Sequence, residues 1–193
     1  MIERRFLILH GAENRRPPEH WQHWLAEQLR HRREIVIYPQ LPEPDSPSLE
    51  SWLELIRAEL AQLGDGERIV LCHSLAVLAW LHHANRLAAS ERVHRVLLVS
   101  PPSPDILWPE VADFAPPANL APCSITYASH ETRIVCADND PYCPLGAKRL
   151  YAEPLDVPAD VIPGGGHLSI DDGYGPWPSV LAWCLDASAR LTD

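Results

Sequence analysis

Short apolar runs alternate with longer amphipathic segments along the chain. Strand-like runs fall at Phe6–His10, Ile35–Tyr38, Ile69–Cys72, Val96–Ser100 and Thr132–Ala137, with a weaker one around Val161. They are almost continuously apolar, with no polar residue at every second position. Strands of that kind are covered on both faces, as in a parallel sheet. The clearest helical stripe runs from Ser48 to Leu63, where Leu49, Trp52, Leu53, Ile56, Leu60 and Leu63 recur at helical spacing. Ser46-Pro47 reads as its start and Gly64 as its stop. Further helices are expected at His20–His31, Leu75–Arg86, Leu145–Glu153 and Trp177–Ala189.

This order predicts an α/β fold: one doubly wound, mostly parallel sheet of about six strands, with helices on both faces. With 193 residues, a single domain spanning 1–193 is expected. Ligands of such sheets bind beyond the carboxyl ends of the strands, so chemistry is sought in the residue just after each one. The stretch Pro101–Pro122 holds 7 of the 20 prolines and reads as an ordered loop, because proline removes backbone donors and holds its predecessor extended.

Composition then narrows the function. A net charge of −10 argues against a nucleic-acid partner, which needs clustered Lys and Arg. The cluster Arg30-His31-Arg32-Arg33 lies at a predicted helix end and reads as a cap on the dipole. No apolar run is long enough to span a bilayer, and the apolar start Phe6–Leu9 is shorter than a signal-peptide core; no membrane association and a cytoplasmic location are the expectations. Five cysteines occur in no C-x-x-C pair, and most of them read as buried thiols. No H-x-x-x-H or H-E-x-x-H pattern occurs, so neither a metal nor another cofactor is expected.

Four segments carry chemistry. Ile69–Cys72, His73-Ser74 and Leu75-Ala76-Val77 read as strand, turn and helix, the setting of a nucleophile elbow. The usual small residues two before and two after the serine are here Cys72 and Ala76 rather than glycine, and a serine capping the next helix is the competing reading. After Thr132–Ala137 comes Asp138-Asn139-Asp140-Pro141, which offers Asp140 as a triad acid and Asp138 as the fallback; both also suit Asx turns. Pro144 is expected in the first turn of the helix that follows. Pro163-Gly164-Gly165-Gly166-His167 places a histidine on a glycine loop that is costly to order. The chain order Ser74, Asp140, His167 is that of α/β-hydrolases. His10-Gly11-Ala12-Glu13, just past the first strand, can supply a backbone N–H; with Leu75 it would form an oxyanion hole, through Ala12 or Glu13. His10, Gly11, Trp21, Trp108 and Phe114 are candidates for a substrate pocket, although aromatics are more often core.

With these residues in view, the sequence resembles the small serine hydrolases typified by retinoblastoma-binding protein nine and its bacterial relatives. The resemblance lies in Gly11 with Glu19-His20-Trp21-Gln22, in His73-Ser74-Leu75, in Asp140-Pro141-Tyr142 with Pro144, and in Gly166-His167-Leu168 with Gly173–Pro178. It implies an α/β-hydrolase with little or no lid and a triad of Ser74 (nucleophile), His167 (base) and Asp140 (acid). Cys72 and Ala76 depart from the usual glycines, and residues 115–133 are longer than the family leads one to expect. The function expected is cleavage of a small-molecule acyl substrate, an ester, thioester or amide. The alternative is a hydrolase-fold scaffold that binds a protein partner.

Overall fold

The computed structural model describes residues 3–192. Six strands form one all-parallel sheet in the order β2-β1-β3-β4-β5-β6. They are β1 (Arg4–Leu9), β2 (Ile35–Ile37), β3 (Glu67–His73), β4 (Val93–Val99), β5 (Ser129–Ala137) and β6 (Ala159–Ile162). Successive side chains divide between two cores. Leu7, Leu9, Val70, Cys72, Val96, Leu98, Ile134 and Cys136 join one. Phe6, Ile8, Ile69, Leu71, Leu97, Val99, Val135 and Ala137 join the other. Both faces of every central strand are therefore buried, which is why these runs read as continuously apolar.

The first core is closed by α2 (Leu49–Leu63), α3 (Leu75–Ala84) and α4 (Pro122–Ala128), and the second by α1 (Trp21–His31) and α6 (Pro178–Leu185). The apolar stripe of α2 faces inward as its spacing requires, with Trp52, Leu53, Ile56, Leu60 and Leu63 buried. All ten residues of α3 are buried, because the helix is roofed by its neighbours as well as floored by the sheet.

Several boundaries differ from expectation. Ser48 stands at the N-cap position of α2 without a side-chain cap hydrogen bond, and Ser46-Pro47 lies ahead of it; Gly64 ends the helix as expected. The proline-rich stretch holds two 3-10 turns, Pro104–Ile106 and Pro109–Phe114, and is followed by α4, which has only seven residues and no long periodicity to announce it. Strand β5 starts at Ser129 rather than Thr132. The helix expected at Leu145–Glu153 is a π-helical turn, Lys148–Ala152, running into the short α5 (Glu153–Leu155). Pro154 explains the widening, since it has no N–H and its ring crowds the carbonyl four residues before. Pro144 precedes that turn and is not part of it. Helix α6 is trimmed at both ends.

The strand ends are nearly level: Leu9 pairs with Cys72, His73 with Val99, Val99 with Val135, and Ala137 with Ile162. Residues 10–12, 74, 138–140 and 163–167 consequently emerge along one edge. Strand β2 lies on one side of β1 and β3 on the other, so the chain leaves β1 and β3 in diverging directions and opens a crevice between them.

Trp52 is fully buried, donates its Nε1–H to the Pro42 carbonyl at 2.8 Å and meets Phe114 edge to face at 5.2 Å. Trp52→Ala is expected to cost about 3–5 kcal/mol, read as a lowered urea midpoint with the slope of the transition unchanged.

Candidate active site

Ser74 occupies a turn that few residues adopt. Its φ of 56° and ψ of −126° put a non-glycine residue at positive φ, a strained conformation. The strain is held from both sides. The Ser74 N–H donates to the Val99 carbonyl at 2.9 Å, and its carbonyl accepts from Val77 at the start of α3. The side chain makes no cap hydrogen bond; Oγ lies 2.8 Å from Nε2 of His167 instead. A Cβ on Gly11 would lie 2.8 Å from Ser74 Cβ and 3.4 Å from the His73 carbonyl oxygen, so residue 11 has no room for a side chain.

His167 is placed by the loop after β5. Asp138 Oδ1 accepts from the Gly164 N–H at 2.7 Å, and Asn139 Oδ1 from the Gly166 N–H at 2.8 Å. Asp140 takes the Nδ1–H of His167 at 2.9–3.0 Å through its two oxygens. It is itself buried and aligned by the Tyr142 N–H at 2.9 Å. The other flank is held by Asp172, which accepts from the His167 N–H at 2.9 Å and the Ser169 hydroxyl at 2.8 Å. Gly166 stands at positive φ with the Asp172 carboxylate where its Cβ would be, so only glycine fits. Beneath, the His73 Nε2–H donates to the His167 carbonyl at 3.0 Å. Ser74 Oγ, the imidazole and the Asp140 carboxylate thus form one hydrogen-bonded line.

Beside Ser74, the His10 Nδ1–H donates to the Gly11 carbonyl at 2.7 Å, while His10 Nε2 accepts from the Leu41 N–H at 2.8 Å. A trans peptide directs its N–H opposite to its C=O, so the Ala12 N–H points away from the buried His10 ring. The Glu13 N–H is taken by the Pro44 carbonyl at 2.7 Å. Among the described residues no protein acceptor takes the N–H of Ala12 or of Leu75.

A family model described as serine hydrolase matches residues 6–185. The chain belongs to this serine hydrolase family. Bacillus subtilis YdeN, named a hydrolase, is 22% identical over 173 residues, 90% of each chain. The crystal structure of the B. subtilis ydeN gene product matches with a TM-score of 0.81 at 21% identity, over 93% of this chain and 95% of that one. A YdeN-like hydrolase from Pectobacterium atrosepticum matches at 0.73 and 22%, over 95% and 90%. The esterase domain of a Rhodothermus marinus protein matches at 0.60 and 14%, over 88% and 81%. These likenesses show the α/β-hydrolase fold.

In this serine hydrolase a cleft of about 680 Å³ opens above Ser74. Gly11, Ala12, Leu75 and Trp108 line it, with His20, Tyr142 and Ile170. Three of the residues read as pocket candidates do not line it. His10 is fully buried as the brace behind Gly11. Trp21 is fully buried, edge to face with Trp177 at 5.2 Å. Phe114 packs on Trp52. Trp21 and Phe114 went inward because each completes an apolar layer, and His10 is held there by its hydrogen bonds to the Gly11 carbonyl and the Leu41 N–H. Cys72 points into the core shared with α2 and α3, and burial pushes its thiol well above the ordinary value; Cys123 is exposed and the other four cysteines are buried.

The sequence pattern assigns no individual role to Asn139, Asp172, His73 or Tyr142. Only their closeness in sequence to the proposed triad marked them, and each acts through a contact that depends on the fold. The Tyr142 ring lies 4.5 Å from that of His167.

Burial dominates the histidines under the cleft. It lowers His10 and His20 to about 4 and His73 well below the ordinary range, with His167 and His20 adding repulsion at His73. The unfolded chain takes up these protons near pH 6.5, before the folded protein does. Stability is therefore fully present above about pH 6.5 and falls as the pH drops toward about 4. Urea unfolding is expected to show a loss of about 2 kcal/mol or more between pH 7 and 5; equal midpoints would contradict the neutral burial of these rings.

Proposed function

We propose that the chain hydrolyses a small ester, thioester or amide through an acyl-enzyme on Ser74. The observation that carries this reading is the placement of His167 between Ser74 Oγ at 2.8 Å and Asp140 Oδ2 at 2.9 Å. His167 Nε2 takes the hydroxyl proton as Oγ attacks the carbonyl carbon, and Asp140 holds the tautomer and stabilises the imidazolium. The negative oxygen of the tetrahedral intermediate is met by the N–H groups of Leu75 and Ala12. The choice of Ala12 over Glu13 is supported by the Pro44 carbonyl, which already occupies the Glu13 N–H. Collapse of the intermediate expels the leaving group with the proton from His167. Water, deprotonated by the same nitrogen, then frees the acyl group.

Asp138 is better read as a loop tie than as the acid, since its carboxylate is spent on the Gly164 N–H. Trp108, Pro102, Tyr142 and Ile170 give the cleft an apolar wall suited to an uncharged substrate. The name of the Rhodothermus neighbour favours an ester among the three substrate types. The His20-Trp21-Gln22 and Gly166-His167-Leu168 motifs support a place beside the hydrolases typified by retinoblastoma-binding protein nine.

A fluorophosphonate probe is expected to label wild type and not Ser74→Ala, and the variant is expected to lose about 10⁴-fold or more in kcat on p-nitrophenyl butyrate. Near-normal turnover by Ser74→Ala would end the proposal. Asp140→Asn is expected to lose on the order of 10³–10⁴-fold, whereas Asp138→Asn, which keeps an acceptor for Gly164, stays within a few-fold. The reverse ranking would move the acid to Asp138.

A further inference from the structure

The proposed mechanism leaves one group of the cleft unused. His20 caps α1, with Nδ1 accepting the Gln22 N–H at 3.2 Å. That nitrogen is therefore unprotonated, and the ring proton of the neutral form is on Nε2. Nε2–H has no protein acceptor among the described residues. The side chain is only 3% exposed, yet it lines the cleft. Its Nε2 is not sealed in, unlike the two unpartnered ring nitrogens of His83 in the core. A buried ring with one nitrogen fixed and the other open to the cleft is a donor of set direction. Burial keeps it uncharged, lowering it to about 4.

Its position selects which part of a substrate it can reach. The His20 ring lies 5.3 Å from that of His73, which in turn lies 5.1 Å from His167. The start of α1 is joined to the loop that carries His167, through the Trp21 N–H on the Tyr174 carbonyl at 3.1 Å. His20 and His167 thus both neighbour the His73 ring and both line the cleft. The leaving group must lie toward His167, because its oxygen takes the proton from His167 Nε2, and the part of it beyond that oxygen is what His20 can meet.

We propose that His20 is a specificity-determining residue whose Nε2–H hydrogen-bonds a second oxygen, ether or hydroxyl, on the alcohol portion of the ester. The substrate class is then esters of oxygenated alcohols, such as glycol- or glycerol-type esters. A buried donor left without an acceptor penalises the plain alkyl ester, which cannot supply one. This assignment rests on the acyl-enzyme reading of Ser74.

The test compares 2-methoxyethyl butyrate with n-butyl butyrate, which differ by one oxygen in place of a methylene. Release of butyric acid is followed by titration, and each kcat/KM is divided by the ester's rate with hydroxide. Wild type is expected to favour the methoxyethyl ester by about three- to tenfold. His20→Asn retains a capping acceptor for α1 but lacks the distant N–H, and its preference is expected to fall to about one, with the melting temperature near that of wild type. His20→Gln, whose amide N–H reaches further, is expected to recover most of the preference. A purely structural His20 would lower both esters together and leave the ratio alone. Wild type that takes the fluorophosphonate label but shows no preference overturns this proposal and leaves the acyl-enzyme reading standing, whether or not either variant folds. An intact preference in folded His20→Asn overturns it as well. Wild type that takes no label overturns both readings.

Discussion

Three consecutive side chains after β5 take three donors from the loop after β6, and the position of His167 depends on them. Asp138 holds Gly164, Asn139 holds Gly166 and Asp140 holds the imidazole. A glycine-rich loop has high conformational entropy and no side chains of its own to pack. Its order must come from its backbone donors, and a run of short polar side chains on the neighbouring strand end is a compact way to engage them. Asp172 completes the restraint from the other side. His167 is then held at both its backbone and its ring.

A second constraint is steric. Gly11 and Ser74 follow adjacent strands at the point where the chain diverges to opposite faces of the sheet, and a Cβ on Gly11 would collide with the Ser74 side chain. The positive φ of Ser74 is tolerated because β4 and α3 hold its N–H and carbonyl. His10 extends the restraint by gripping the Gly11 carbonyl from below and the chain at Leu41 beyond it.

Beneath the cleft lie histidines that serve as neutral hydrogen-bonding groups. His10 and His73 each donate to a carbonyl, and His20 accepts from a helix N-terminus. Beside the His167 imidazole, uncharged donors and acceptors give orientation without adding a standing charge. Acid sensitivity of the fold is the consequence.

The sheet, its parallel sense and the edge that carries the chemistry follow from the sequence alone, because strands buried on both faces show as unbroken apolar runs and a parallel sheet collects the residues after each run at one edge. The serine, histidine and two aspartates were visible for the same reason: each stands just past a strand. What sequence could not separate were residues of one type in adjacent positions. Asp138 and Asp140 carry the same group two residues apart, and only the register of β5 against β6 sends one to Gly164 and the other to the imidazole. His10, Trp21 and Phe114 looked like pocket residues on position and ring chemistry; the tertiary structure put them in the core, because which side of a ring meets water is decided by the layers that close over it. Helix α4 escaped notice because a short element carries too little periodicity to register, and the helix expected at Leu145–Glu153 became a π-helical turn where Pro154 interrupts the hydrogen-bond ladder. Local pattern determined where chemistry could stand, and long-range contact decided which atoms meet.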